Sequence, residues 1–225
     1  MKPSFINIHC HTEQAFSVKV IRIVNIFPED ADLISTEGSY SIGIHPWHIS
    51  PKTLERDLNS VEKNIQTQNV LALGEIGLDR LYPDFELQKE IFVRQLQIAE
   101  KYSKPVIIHC VKAIPEVISI LKNEKIQVPV IFHGFNAGLQ IAQQNAVKGF
   151  YMSFGKDLFN MNSNAAAVIS QIPLQNIFLE TDSSEFVISE IYRQAADLIN
   201  IDVKNLQNTI LQNFDTCFKT SFSLE

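Results

Sequence analysis

"KPVIIHCV", residues 104–111, is a short apolar run with a histidine, His109, near its end. Its length and its Val and Ile content are those of a buried strand. The same pattern recurs in "FINIHCH" (5–11), "VKVIRIVNIF" (18–27), "YSIGIHPWH" (40–48), "VLALGEIGLD" (70–79), "VPVIFHGF" (128–135), "GFYMSFGKD" (149–157) and "NIFLETDSS" (176–184). Between the later runs lie segments of helical length and period, at 51–68, 85–103, 113–124, 137–147, 163–171 and 185–199, and a last one at 203–221. Ser50 reads as the N-cap of the first, with Pro51 at its first helical position. In 85–103, Leu87, Ile91, Leu96 and Ala99 fall near one face. Strand and helix alternation predicts a parallel sheet covered by helices, and eight strand-like runs point to a (β/α)8 TIM barrel.

The opening of the chain departs from that pattern. Residues 12–18 alone separate the first run from the second, whereas a parallel crossover needs about a dozen residues or more. The expectation is a distorted barrel with shortened first β/α units. Its first helix is missing, its second strand pairs antiparallel or lies irregularly, and "PEDADLISTEGS" (28–39) is a loop.

The chain of 225 residues is 45% hydrophobic, enough for one well-cored domain over 1–225. Its formal net charge of −6 excludes a global basic field that would hold nucleic acid non-specifically. An anionic substrate would have to be held locally. Cys10, Cys110 and Cys217 are an odd, unpaired set, which fits reduced thiols rather than a disulfide framework. With no signal peptide or membrane-length apolar segment in view, the chain reads as cytoplasmic.

Polar residues close the apolar runs: His9 and His11 the first, Glu75 the fourth, His109 the fifth, His133 the sixth and Asp182 the eighth. In a barrel the C-terminal strand ends converge where sites are built. His9 and His11, two apart on a strand, point the same way. Alone, that pair is as well explained as two polar residues at a strand end. Four histidines, a glutamate and an aspartate at strand ends are harder to explain as packing. Imidazole and carboxylate donors suit Zn²⁺, Mn²⁺ or a related divalent ion. Six donors exceed what one tetrahedral ion takes, and two ions sharing a carboxylate fit the number.

The ordered set "NIHCH", "GIHPWH", "ALGEIGLD", "Q...F..QL.IA.....PVIIHC", "FHGF" and "LETDS" resembles the TatD family of metal-dependent hydrolases and deoxyribonucleases over nearly the whole chain. The resemblance implies a phosphodiesterase or deoxyribonuclease using two divalent ions (Zn²⁺, Mg²⁺ or Mn²⁺) and a metal-activated water, with DNA or a short oligonucleotide as substrate. It assigns His9, His11 and Asp182 to one ion, His109 and His133 to the other, and Glu75 as the bridge. Asp182 and Glu75 are the catalytic candidates, Asp182 orienting or deprotonating the water. His45 and His48 either contact the scissile phosphate or form a turn held by Pro46 and packed on Trp47. No protein partner is expected, and the chain reads as a monomer.

Four departures from the family pattern bear on substrate. Asn7 stands where the family usually has an aspartate that orients an imidazole. Val111 and Lys112 follow "HC" where an arginine is common, so bidentate phosphate recognition gives way to the point charge of Lys112. The longer loop after "ETD" is absent, and so is the first helix. These keep open a metallo-hydrolase of another ester, lactone or amide bond, and a non-catalytic metal-binding barrel. Asp79, on the same loop as Glu75, reads as a solvated loop acid or, as the alternative, a residue that supports a ligand from behind. Glu180 shares the strand parity of Asp182 and reads as a deeper, paired residue with a possible part in orienting a ligand. Cys10 and Cys110 point away from the metals and pack.

Overall fold

The computed structural model describes residues 5–11 and 20–220. Eight strands follow one another through one sheet in chain order, the order of a (β/α)8 barrel. They are β1 (Phe5–Cys10), β2 (Val20–Ile26), β3 (Ser39–Ile42), β4 (Val70–Asp79), β5 (Val106–Val111), β6 (Val130–Phe132), β7 (Tyr151–Phe154) and β8 (Ile177–Leu179). Among the described residues seven α-helices accompany them: α1 (Leu54–Asn64), α2 (Phe85–Tyr102), α3 (Ile114–Asn123), α4 (Leu139–Val147), α5 (Asn164–Val168), α6 (Ile188–Ile199) and α7 (Val203–Phe218). Among the described residues, no helix is long and apolar enough to cross a membrane.

The shortened opening is seen where it is described. β2 is a regular strand of seven residues placed between β1 and β3, not an irregular segment. Only a 3-10 helix, Pro28–Leu33, follows it, within the stretch read as a loop. The expected crossover, residues 12–18, lies outside the described residues. The α1 boundary also differs from the expectation. Ser50 does not cap the helix. Its carbonyl accepts the Thr53 N–H at 3.1 Å, so residues 51–53 form a turn and the helix begins at Leu54.

Two compact units divide the chain, one made of Val24–Val130 and the other of Met1–Ile23 with Ile131–Glu225. In the first, β3 pairs with β4 and β4 with β5, all parallel. Leu73 faces Val106 and Ile76 faces Ile108, so β4 takes three steps where β5 takes two. That extra residue is a bulge, and bulges re-aim side chains. Glu75 lies in it. Gly77 follows at φ +144°, and a Cβ there would overlap the His109 carbonyl oxygen. Only glycine lets β5 approach so closely.

In the other unit β6, β7 and β8 are parallel neighbours. β1 joins β8 through a parallel bridge, Cys10 to Asp182. The fully buried Tyr192 of α6 pins β1: its hydroxyl accepts from Ile6 N and donates to Ile6 O, each at 3.1 Å. Asn213 of α7 donates to the carbonyls of Leu174 and Ile177, at 2.9 and 2.8 Å, and fixes the start of β8. Buried polar side chains thus satisfy strand-end groups that a sheet edge leaves open.

Candidate metal centre

One donor set belongs to the unit containing β1 and β8. His9 is the last residue but one of β1, and its carbonyl accepts the Asp182 N–H at 3.0 Å. Asp182 sits at φ 50°, a left-handed conformation that aspartate tolerates better than most residues. Its Oδ1 lies 3.3 Å from His11 Nε2 and 3.7 Å from His9 Nε2. The His9 ring centroid is 5.0 Å from that of His11 and 4.5 Å from that of His133. Donor atoms of His9, His133 and Asp182 all lie within 4.8 Å of one another. Three imidazoles this close repel one another when protonated and share a cation well when neutral, so the donor chemistry fits a divalent ion. His133, which the family resemblance pairs with His109, lies here beside His9 and Asp182.

Behind His133 stands Glu180, 1% exposed. Its Oε1 accepts the Gly134 N–H at 2.7 Å and lies 3.4 Å from His133 Nδ1. A carboxylate on the second ring nitrogen fixes the tautomer and orientation of a ligating imidazole. Glu180 is therefore paired and deep, as its strand parity suggests. Asn7 is different. Its Nδ2 donates to Thr181 Oγ1 at 2.7 Å and its Oδ1 accepts the Thr181 N–H at 3.0 Å. Both ends of the amide clamp β1 to the residue before Asp182, in place of the imidazole contact expected at this position.

A second donor set belongs to the unit containing β3, β4 and β5. Glu75 Oε1 is 2.7 Å from His109 Nδ1 and 3.1 Å from His45 Nε2. These three residues also gather donor atoms within 4.8 Å. His45, however, accepts the Trp47 backbone N–H through Nδ1 at 3.1 Å. A neutral imidazole has one lone pair and one N–H. With Nδ1 accepting, Nε2 carries the proton and donates to Glu75. His45 is thus a hydrogen-bond donor to the carboxylate, which leaves Glu75 and His109 as the candidate ligands of this set. The backbone N–H of Glu75 donates to Asn25 Oδ1 at 2.5 Å, and the Ser41 hydroxyl donates to the same oxygen at 3.2 Å.

Asp79 is not a solvated loop acid. It ends β4, is 3% exposed, and accepts from Trp47 Nε1 at 2.7 Å and Leu81 N at 2.8 Å. Its Oδ2 is 3.5 Å from His109 Nε2. Two glutamines of α2, given no role in the sequence reading, hold the strand ends. Gln95 accepts from Ile44 N at 2.7 Å and donates to Ile44 O at 3.0 Å, beside His45. Gln88 does the same for Asp79, at 2.8 and 3.0 Å. Seven residues apart, they share a helix face, and that spacing inside "Q...F..QL" was the signal available. His48 is exposed and stacks on Phe27, ring centroids 4.5 Å apart. Lys112 is exposed just past β5, at φ 49°.

A family model described as TatD related DNase matches residues 11–219. This chain belongs to that family. Among curated TatD relatives, it is 33% identical over 146 residues to the uncharacterized metal-dependent hydrolase YabD of Bacillus subtilis, a match covering 63% of this chain and 57% of YabD. The chain thus spans less than two thirds of that relative's length. Its fold is that of the TatD homolog YjjV of Escherichia coli, with TM-score 0.82 at 23% identity over 97% of this chain and 99% of YjjV. A TatD family hydrolase of Entamoeba histolytica superposes with TM-score 0.80 at 17% identity, over 97% and 99% of the two chains.

Proposed function

We propose that this chain is a divalent-metal-dependent hydrolase of phosphodiester bonds, acting on DNA or short oligonucleotides. The two donor sets carry the reading; the names of the curated relatives support a metal-dependent hydrolase, and the description of the family model supports DNA as the substrate. His9, His11, His133 and Asp182 would hold one ion, and Glu75 and His109 a second. Bound there, a divalent cation lowers the pKa of a coordinated water toward neutrality and offsets charge building on phosphate oxygens.

The remaining work falls to the protein. Asp182, with its side chain 30% exposed, is the carboxylate that meets solvent and takes the proton of the attacking water. Glu180 keeps His133 in one orientation, and His45 keeps Glu75 in one orientation. Lys112 supplies a point charge for the phosphate at the rim.

A second reading, hydrolysis of a lactone, amide or small ester, draws on the short connection after Asp182. α6 begins at Ile188, leaving residues 183–187 to shape a substrate loop. One assay separates the two. Chelator-treated protein is resupplied with Mg²⁺, Mn²⁺ or Zn²⁺ and given a labelled oligonucleotide and a lactone panel. Metal-restored oligonucleotide cleavage is expected, falling about 100-fold or more in Asp182→Asn with an unchanged circular dichroism spectrum. Cleavage with none of the ions, or a fully active Asp182→Asn, overturns the reading. Lactone turnover without oligonucleotide cleavage selects the second.

A further inference from the structure

Next to the Glu75 and His109 set stands an aromatic pair that the hydrolytic chemistry does not use. Trp47 is 49% exposed and Tyr82 41%. Their rings are near parallel, at 27° and 6.0 Å between centroids. Solvent-exposed aromatic rings are common, but this indole is held in place. Its Nε1–H donates to Asp79 Oδ2, and its backbone N–H donates to His45 Nδ1. Its ring meets His45 edge-on at 4.8 Å and His109 edge-on at 5.6 Å. Asp79 is itself fixed by the Leu81 N–H.

Burying a carboxylate is costly unless it is hydrogen-bonded, and Asp79 takes one of its bonds from the Trp47 indole. That bond fixes an indole that stays 49% exposed to water. A ligand that covers the ring would account for the arrangement. The ring lies beside His109, so the ligand bears an aromatic system close to the group that reaches the donor set.

We propose that Trp47 and Tyr82 form a stacking platform for a nucleobase of the substrate, next to the phosphate held at the Glu75 and His109 set. The proposal rests on the phosphodiester reading above. Stacking on an aromatic face is tolerant of base identity, because every base has a π-face. The platform would therefore favour nucleotides over base-free phosphates without reading sequence.

Trp47 is the one tryptophan of the chain, so its fluorescence reports on the platform alone. Metal-replete protein is titrated with deoxyadenosine 5′-monophosphate and, separately, with 2-deoxyribose 5-phosphate. Saturable quenching by the nucleotide and none by the sugar phosphate is expected. Tyr82→Ala should weaken nucleotide binding about fivefold or more, and Tyr82→Phe should restore it. Equal responses to both probes, or unchanged binding in a folded Tyr82→Ala, overturns the platform. Cleavage of an oligonucleotide with an unchanged KM in Tyr82→Ala sinks the platform and leaves the phosphodiester reading standing. Base-dependent quenching without cleavage by any ion does the reverse.

Discussion

At His45 the backbone decides which ring nitrogen carries the proton. The Trp47 amide can only donate, so Nδ1 must accept and Nε2 must donate to Glu75. A histidine that clusters with a glutamate and a second histidine is thereby a hydrogen-bond donor to that glutamate. Asn7 is a second case where hydrogen-bond direction settles a role. Its amide satisfies both the N–H and the hydroxyl of Thr181, one residue from Asp182. Asn7→Ala leaves the buried Thr181 N–H without that acceptor, and should lower unfolding free energy by about 1–3 kcal/mol in a urea titration. Asn7→Asp keeps an acceptor for both groups and should cost less than Asn7→Ala. A near-neutral Asn7→Ala would show that the clamp does not matter. Neither role was legible in the sequence, because each depends on a partner far away in the chain, Thr181 for Asn7 and Glu75 for His45.

Elements set the positions of these residues. The bulge in β4 places Glu75, and Gly77 two residues later lets the His109 strand approach. α2 contributes Gln88 and Gln95, both 1% exposed, which bond the ends of β4 and β3 as a further strand would. Gln95→Leu retains volume but leaves the buried N–H and C=O of Ile44 without their partner. It should cost about 2–4 kcal/mol of stability and loosen His45, lowering activity in the surviving folded protein. Wild-type stability in Gln95→Leu contradicts that function for the helix. The apolar period of α2 was readable from Ile91, Leu96 and Ala99. Its buried glutamines were not, since a polar residue on the core face reads as a break in the period. The start of α1 was misplaced for a related reason: a Ser-Pro pair signals a helix start or a turn equally well, and Ser50 opens a turn.

For the whole molecule, the run order was the most legible feature. Parallel strands alternating with helices leave a repeated apolar signature, and all eight runs became strands in that order. The polar residues ending those runs were equally visible. How they sort into donor sets was not, because sorting depends on which strands are neighbours. Burial also gives the chain a response to alkali. It raises the Cys110 thiol from 9.0 to about 12 and the Tyr151 hydroxyl from 10.0 to about 12, and pushes Cys217 and Tyr192 upward too. Between pH 9 and 12 the folded chain therefore holds more protons than the unfolded chain, so stability falls as pH rises there. The thermal midpoint should be level up to about pH 9 and decline above it. A midpoint that rises over that window contradicts the assignment.

The central claim is that the strand-end residues form two cation sites. Equilibrium dialysis against Mn²⁺, with metal analysis of the protein, tests it most directly. The expected result is two ions per chain, with one lost in His11→Ala and the other lost in His109→Ala while both variants stay folded. A folded wild-type chain that binds no ion, or variants that retain both, would contradict it.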